Sequence, residues 1–342
     1  MSEKKFKVAV IGCGVIANKH MTGVNEKPEC ELYAICDSAR DDRLQKHQEE
    51  FGAKIAVKDY KELVDDPNID FVIITTPDNT HMEMACAFMR AGKDVLLEKP
   101  MALTMAECEE ILRVEKETGK RLMVGQVARY NNNHVAAKKL VEEGAIGDLV
   151  YVESEYAHDY MTSRGYDDWR VSPEREGMIG GGCHAVDLLR WIAGNPTEVH
   201  AVSTHKYLMD WPVHDTTIAI YKFPNGVIGK VFCGIGVKRN YTMRTALYGT
   251  KGTLIYDGGR ATELYLYQVD ENGENYKKPK LIPATPNSHN MAGEISDFVD
   301  AMIAGKPNPI ASIEGASTVA VCRATVESAK TGETVKIVYP EV

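Results

Sequence analysis

The apolar residues of the first third of the chain fall in short unbroken runs. Between them lie stretches whose apolar positions recur every three or four residues. Lys7–Ile11, Leu32–Cys36, Phe71–Thr75, Asp94–Leu97 and Arg121–Gly125 read as strands, with helices at Arg40–Phe51, His81–Ala91 and Met105–Thr118. This alternation predicts a parallel, doubly wound α/β sheet. Phe71-Val72-Ile73-Ile74 and Val95-Leu96-Leu97 have no polar face, as expected of strands covered by helices on both sides.

After about Gln126 the pattern changes. One helix is expected at Asn133–Glu143, followed by β-rich runs at Leu149–Tyr156, Val199–His205, Thr216–Phe223, Val227–Cys233, Arg244–Tyr248 and Thr253–Tyr256. They predict an α+β domain with a large mixed, mostly antiparallel open sheet. Pro224-Asn225-Gly226 marks a hairpin and Asp257-Gly258-Gly259 a second turn, because such residues supply the backbone angles tight turns need. Residues 269–275 read as a solvated loop, with helices returning at Ala292–Ala304 and Ile313–Thr331 before a last strand at Thr334–Val338. The expected division is 1–125 and 126–342.

Composition narrows the class. With 342 residues, 44% hydrophobic and 26% charged, the chain is long enough for two ordinary globular cores. Its formal charge of −9 argues against a nucleic-acid or anionic-membrane surface, leaving a small molecule as the expected partner. No apolar run approaches a membrane span, and the start of the chain runs directly into the first strand. The eight cysteines show neither C-x-x-C nor zinc spacing, so reduced thiols and a cytoplasmic location are expected.

Within this frame, Phe6–Ile11 leads into Gly12-Cys13-Gly14-Val15-Ile16-Ala17, and the next strand ends on Asp37. A strand followed by G-x-G-x-x-A, with an acid closing the next strand, is the context of a dinucleotide site. The backbone approaches a pyrophosphate there, and a helix N-terminus faces it. Gly12, Gly14, Val15, Ile16 and Asp37 are the candidate cofactor contacts. A carboxylate accepts from ribose hydroxyls and repels a 2′-phosphate, so NAD is favoured, while the nearby Arg40 leaves NADP possible. Residues 1–125 are therefore expected to be the NAD-binding domain.

Three further segments carry candidate chemistry. Thr75-Thr76-Pro77-Asp78-Asn79-Thr80-His81 closes a buried strand at the edge where such sheets bind ligands, and reads equally as a capped loop or as direct cofactor contact. Glu98-Lys99-Pro100 ends the next strand; an ammonium group there can stabilise an alkoxide forming on a substrate. In Gly180-Gly181-Gly182-Cys183-His184-Ala185-Val186-Asp187, glycines open a helix that carries His184 and Asp187 on one face. An imidazole there can accept a hydroxyl proton near neutral pH, with a carboxylate to orient it.

These motifs, with Gly125 through Arg129, Gly144-Ala145-Ile146-Gly147, Trp169-Arg170, Glu294-Ile295-Ser296-Asp297-Phe298, Glu314-Gly315-Ala316 and 327–332, cover nearly the whole chain. Together they resemble the Gfo/Idh/MocA family of NAD(P)-dependent oxidoreductases, the family of glucose-fructose oxidoreductase and inositol dehydrogenase. The resemblance implies an N-terminal Rossmann domain and a C-terminal domain, 126–342, that binds substrate and forms a homodimer or homotetramer through its sheet. It also implies a carbohydrate or cyclitol substrate and a cis peptide before Pro100.

Under this resemblance Lys99 and His184 are catalytic, and Thr76, Pro77, Asn79, His81, Glu98, Lys99 and Arg129 join the cofactor set. Asp187, Tyr156, Tyr160, Asp168, Trp169 and Arg170 are candidates for substrate binding. Many members carry an Asp where this chain has Gly180, and Asp168, His158, Asp159 and Tyr160 are the candidates to supply that polar group. The leading expectation is hydride transfer from a secondary alcohol to NAD. Redox-assisted glycoside cleavage with retained NAD and a non-catalytic nucleotide-binding regulator are the alternatives.

Overall fold

The computed structural model describes residues 5–38, 41–161, 169–259, 261–270, 275–283 and 289–341. They divide into two compact units. One contains the chain up to Val127 together with Asn290–Ser317 and the residues from Pro340; the other contains Ala128–His289 and Thr318–Tyr339.

In the first unit the elements run β1 (Phe6–Ile11), α1 (Val15–Glu26), β2 (Cys30–Cys36), α2 (Asp41–Phe51), β3 (Ile55–Val57), α3 (Lys61–Val64), β4 (Phe71–Ile74), α4 (His81–Arg90), β5 (Asp94–Glu98), α5 (Met105–Thr118) and β6 (Leu122–Gly125). All pairs are parallel, in the order β3-β2-β1-β4-β5-β6. Strand order reverses between β1 and β4, so their carboxyl ends open the crevice where such sheets take ligands. The short β3 was not anticipated: three half-buried residues at a sheet edge leave little periodic signal. Helix α5 starts on a reciprocal Thr104–Glu107 capping box, which satisfies backbone N–H groups that a helix start leaves unpaired.

The two units do not divide at a single point in the chain. Helix α9 (Met291–Ile303) belongs to the first unit because its apolar face is buried there. Phe298 packs edge-on against Phe71 of β4 with ring centroids 5.5 Å apart, and Ile295 closes against Gly23 of α1. Burying one such aromatic ring is worth roughly 1.5–3 kcal/mol.

The second unit holds α6 (Asn132–Glu142), β7 (Leu149–Ala157), α7 (Gly177–Gly180), α8 (Cys183–Ala193), β8 (Glu198–Thr204), β9 (Thr216–Lys222), β10 (Ile228–Gly234), β11 (Thr245–Gly249), β12 (Gly252–Tyr256), β13 (Glu263–Gln268), β14 (Lys280–Pro283) and β15 (Val335–Lys336). Its nine-stranded sheet has the order β14-β13-β12-β11-β7-β10-β9-β8-β15 and is antiparallel except for β7 beside β10. Residues 224–226 form the expected β9–β10 hairpin. Strands β13 and β14 were not anticipated, since their mixed polar and apolar residues give no clean alternation.

Leu189 of α8 lies over Gly229 of β10, and Thr325 and Ser328 of α10 (Ser312–Thr331) bond Tyr221 of β9 and the Ala201 N–H of β8. The opposite face exposes Val202, Ile218, Ile220 and Ile228. All eight cysteines are buried and unbridged. Among the described residues no helix is long and apolar enough to cross a membrane. Of the 269–275 loop, residues 271–274 lie outside the described residues.

Candidate active site

The glycine turn after β1 has the geometry a dinucleotide needs. Gly12 sits at φ +94°, a conformation open to glycine, and a side chain there would lie 3.0 Å from the backbone of Thr75. Gly14 is the N-cap of α1, and among the described residues, its chain neighbours aside, no atom lies within 4 Å of where its side chain would be. No side chain caps the helix, and Val15 is 75% exposed. The start of α1 thus has room beside Gly14 and N–H groups without a side-chain cap, the arrangement that attracts phosphate.

Asp37, at the end of β2, accepts the Cys13 N–H at 2.9 Å and pairs with Arg43 at 2.7 Å. These contacts tie the acid to the glycine turn. They fit NAD: Gly12, Gly14, Val15 and Ile16 would hold the pyrophosphate and Asp37 the adenosine ribose. Arg40 lies outside the described residues.

Along the same carboxyl edge, His81 has no exposed surface. Its ring nitrogens reach the Pro100 carbonyl at 2.9 Å and the Thr76 carbonyl at 3.1 Å. It ties the loop after β4 to the loop after β5 and so braces this edge. The Thr80 hydroxyl donates to Thr76 Oγ1 at 2.7 Å, Pro77 precedes a short 3₁₀ turn, and Asn79 is exposed. Lys99 follows β5 half-buried, and the Lys99–Pro100 peptide is cis, as expected. Glu98 is buried, with His20 Nε2 at 2.8 Å and the Lys99 N–H donating to its other oxygen at 3.1 Å.

In the second unit, His184 lies in the first turn of α8. Tyr156 stacks on its ring at 5.9 Å and 19°, and His289 approaches at 5.6 Å. Tyr241 packs against Tyr156, His158 and His289, and Tyr160 against His158 and Trp211. The Tyr156 hydroxyl lies 3.3 Å from both His158 Nδ1 and the Tyr160 hydroxyl. Burial pushes the Tyr156 phenol well above its ordinary range, so it stays protonated as a hydrogen-bonding group. Tyr156, stacked on His184, and Tyr160, beside Tyr156 and His158, are both buried. Sequence reasoning missed Tyr241 and His289, which lie in loops without periodicity; their residue type was the only signal.

Asp187 does not orient His184. Its carboxylate receives two hydrogen bonds from Arg129, at 2.9 and 2.7 Å, and one from the Thr318 hydroxyl at 3.2 Å, with no exposed surface. Three residues along α8, the side chain turns away from the imidazole toward α10. Arg129, expected at the cofactor, is thereby the partner of Asp187. Asp159 pairs with Lys238 at 2.9 Å.

Arg175 fills the place of a side chain at Gly180. A methyl built on Gly180 would lie 2.1 Å from the Arg175 guanidinium, and Arg175 also donates to the Gly180 carbonyl at 3.3 Å. Trp169 receives the guanidinium groups of Arg170 at 4.1 Å and Arg175 at 4.9 Å, so both residues of the Trp169-Arg170 pair take part in stacking. Asp168 lies outside the described residues.

Two family models match the chain. Residues 6–126 match the oxidoreductase family with an NAD-binding Rossmann fold, and residues 134–255 match the GFO/IDH/MocA C-terminal domain. Myo-inositol 2-dehydrogenase of Thermotoga maritima is 27% identical over 97% of this chain and 98% of its own length. Trans-1,2-dihydrobenzene-1,2-diol dehydrogenase of Mus musculus is 29% identical over 71% of this chain and 72% of its own. In fold, levoglucosan dehydrogenase in complex with NADH and levoglucosan superposes with a TM-score of 0.87 over 99% of this chain and 100% of that chain, at 24% identity.

Proposed function

Since this chain belongs to the Gfo/Idh/MocA family of NAD(P)-dependent oxidoreductases acting on CH–OH groups, we propose that it oxidises a secondary alcohol on a ring bearing neighbouring hydroxyls, a cyclitol or a sugar. The observation that carries this reading is the carboxyl edge of the six-stranded sheet, where the open Gly14 turn and Lys99 stand on one rim. The relatives that act on inositol and on a dihydrobenzene diol support a six-membered ring with adjacent hydroxyls.

His184 is assigned as the base that takes the hydroxyl proton, with Tyr156 and His289 limiting its ring orientation. Lys99 is assigned to stabilise the developing alkoxide with its ammonium group. Bound NAD supplies the two-electron acceptor for the carbinol carbon. Arg175 and Trp169 are assigned to shape the pocket where Gly180 leaves no carboxylate.

Lys99→Ala and His184→Ala should each lower kcat roughly 10²–10⁴-fold while NADH affinity stays within a few fold. Steady-state NADH formation across cyclitols and sugars, with fluorescence titration of NADH, measures both. Undiminished turnover in either variant would remove that residue from the mechanism. Aglycone release from a glycoside without net NADH would replace oxidation by elimination.

The exposed Val202, Ile218, Ile220 and Ile228 share one face of β8–β10 and support a homo-oligomer through that sheet. Ile218→Glu with Ile220→Glu should reduce the mass in light scattering to that of one chain. An unchanged mass would place the contact elsewhere, and a monomeric parent would remove it. The buried, unbridged cysteines support a reducing cytoplasm.

A further inference from the structure

Glu294 is the fourth residue of α9 and has no exposed surface. Among the described residues neither of its carboxyl oxygens has a hydrogen-bond partner. Both oxygens lie against Gly125, 3.3 Å from where a side chain would begin. Gly125 ends β6 and pairs with Glu98, which ends β5. Glu98 in turn has His20 of α1 on one oxygen and the Lys99 N–H on the other. Two acids and a histidine therefore gather beneath the edge that carries Lys99, whose backbone N–H is bonded to one of them. Among the described residues no group of His, Cys, Asp and Glu is arranged to hold a metal.

A buried carboxyl without partners is costly, and an apolar side chain would fill the same volume without that penalty. Two acids in one buried cluster resist ionising together. Burial, with the charge of Glu98 added, pushes the Glu294 carboxyl well above the usual carboxylate range. Glu98 on β5 is the charge acting on it, and His20 reaches the cluster from α1. Strand β6 presents Gly125, α10 meets β6 through Gly315 against Val124, and Asp297 on α9 is exposed.

We propose that Glu294 is a positioning residue for the dinucleotide edge. As a neutral acid it leaves the cluster one negative charge, which lets Glu98 keep both His20 and the Lys99 N–H. Ionisation of Glu294 adds a second charge, displaces Glu98 and loosens the Lys99 segment. This rests on the dinucleotide site and not on which alcohol is oxidised.

The sign of the pH effect is fixed. The folded state retains a proton that the unfolded chain releases in the ordinary carboxylate range, so this contribution to stability is full at low pH and is lost as pH rises. Thermal unfolding and NADH titration from about pH 5.5 to about pH 9 test it on the parent protein, Glu294→Gln and Glu294→Met. The parent should lose melting temperature and several-fold NADH affinity with rising pH beyond either variant, whose curves should be flatter. Methionine keeps the volume and serves if the glutamine variant does not fold.

Parallel melting curves in parent and variants would overturn the protonated state. A flattened melting curve with an unchanged NADH profile would overturn the positioning role. A parent that binds no NADH at any pH would refute the dinucleotide reading itself, and with it the positioning role.

Discussion

Gly12–Gly14 before α1 and Gly180–Gly182 before α8 are the two glycine turns that lead into helices bearing candidate chemistry. In the first, Gly14 faces space that no neighbouring side chain fills and the helix start has no side-chain cap, among the described residues. In the second, every position is filled from within the chain: Arg175 lies on Gly180, the Tyr156 ring on Gly181 and Met178 on Gly182. A glycine can thus make room for a foreign group or for the protein's own side chains, and the motif alone does not say which. At the second turn a guanidinium packs on bare backbone.

Substitutions that add atoms at the two turns sharpen the contrast. Gly180→Ala should destabilise the protein by about 1–3 kcal/mol through overpacking against a buried arginine, and less than about 0.5 kcal/mol in an Arg175→Ala background. Denaturant unfolding of the four proteins in that cycle measures the coupling, and additive losses would mean that the two residues do not compete for one space.

Gly14→Val has the smaller effect, and a different kind. NADH should bind roughly tenfold more weakly, about 1.4 kcal/mol, while unfolding changes by less than about 0.5 kcal/mol. A large loss of stability at Gly14 with unchanged NADH affinity would reverse the comparison between the turns.

Legibility in the sequence followed the same line. The parallel strands were readable because Phe71–Ile74 and Val95–Leu97 are covered on both faces and have no polar residue to spare. The dinucleotide turn was readable because strand, glycines, helix and Asp37 lie within one short stretch. Other candidates have partners far away in the chain. Asp187 shares a helix with His184, but Arg129 lies 58 residues away in sequence and Thr318 lies 131, and these hold its carboxylate. His81 begins a helix at the ligand edge, yet the Pro100 carbonyl 19 residues on takes its ring inward. Helix α9 shows its amphipathic pattern plainly, but nothing in that pattern names the sheet it covers.

Sequence alone determined the two architectures, the place of the dinucleotide turn, and the positions of Lys99 and His184 at the ends of their elements. These depend on local periodicity, on turn chemistry and on residues a few positions apart. Tertiary structure decided what each polar group is bonded to. It turned Asp187 to Arg129, spent His81 on two carbonyls, set Arg175 in the space of an absent side chain and buried Glu294 beside Glu98. The physical reason is that hydrogen bonds and desolvation act over a few ångströms of space, whatever the separation along the chain.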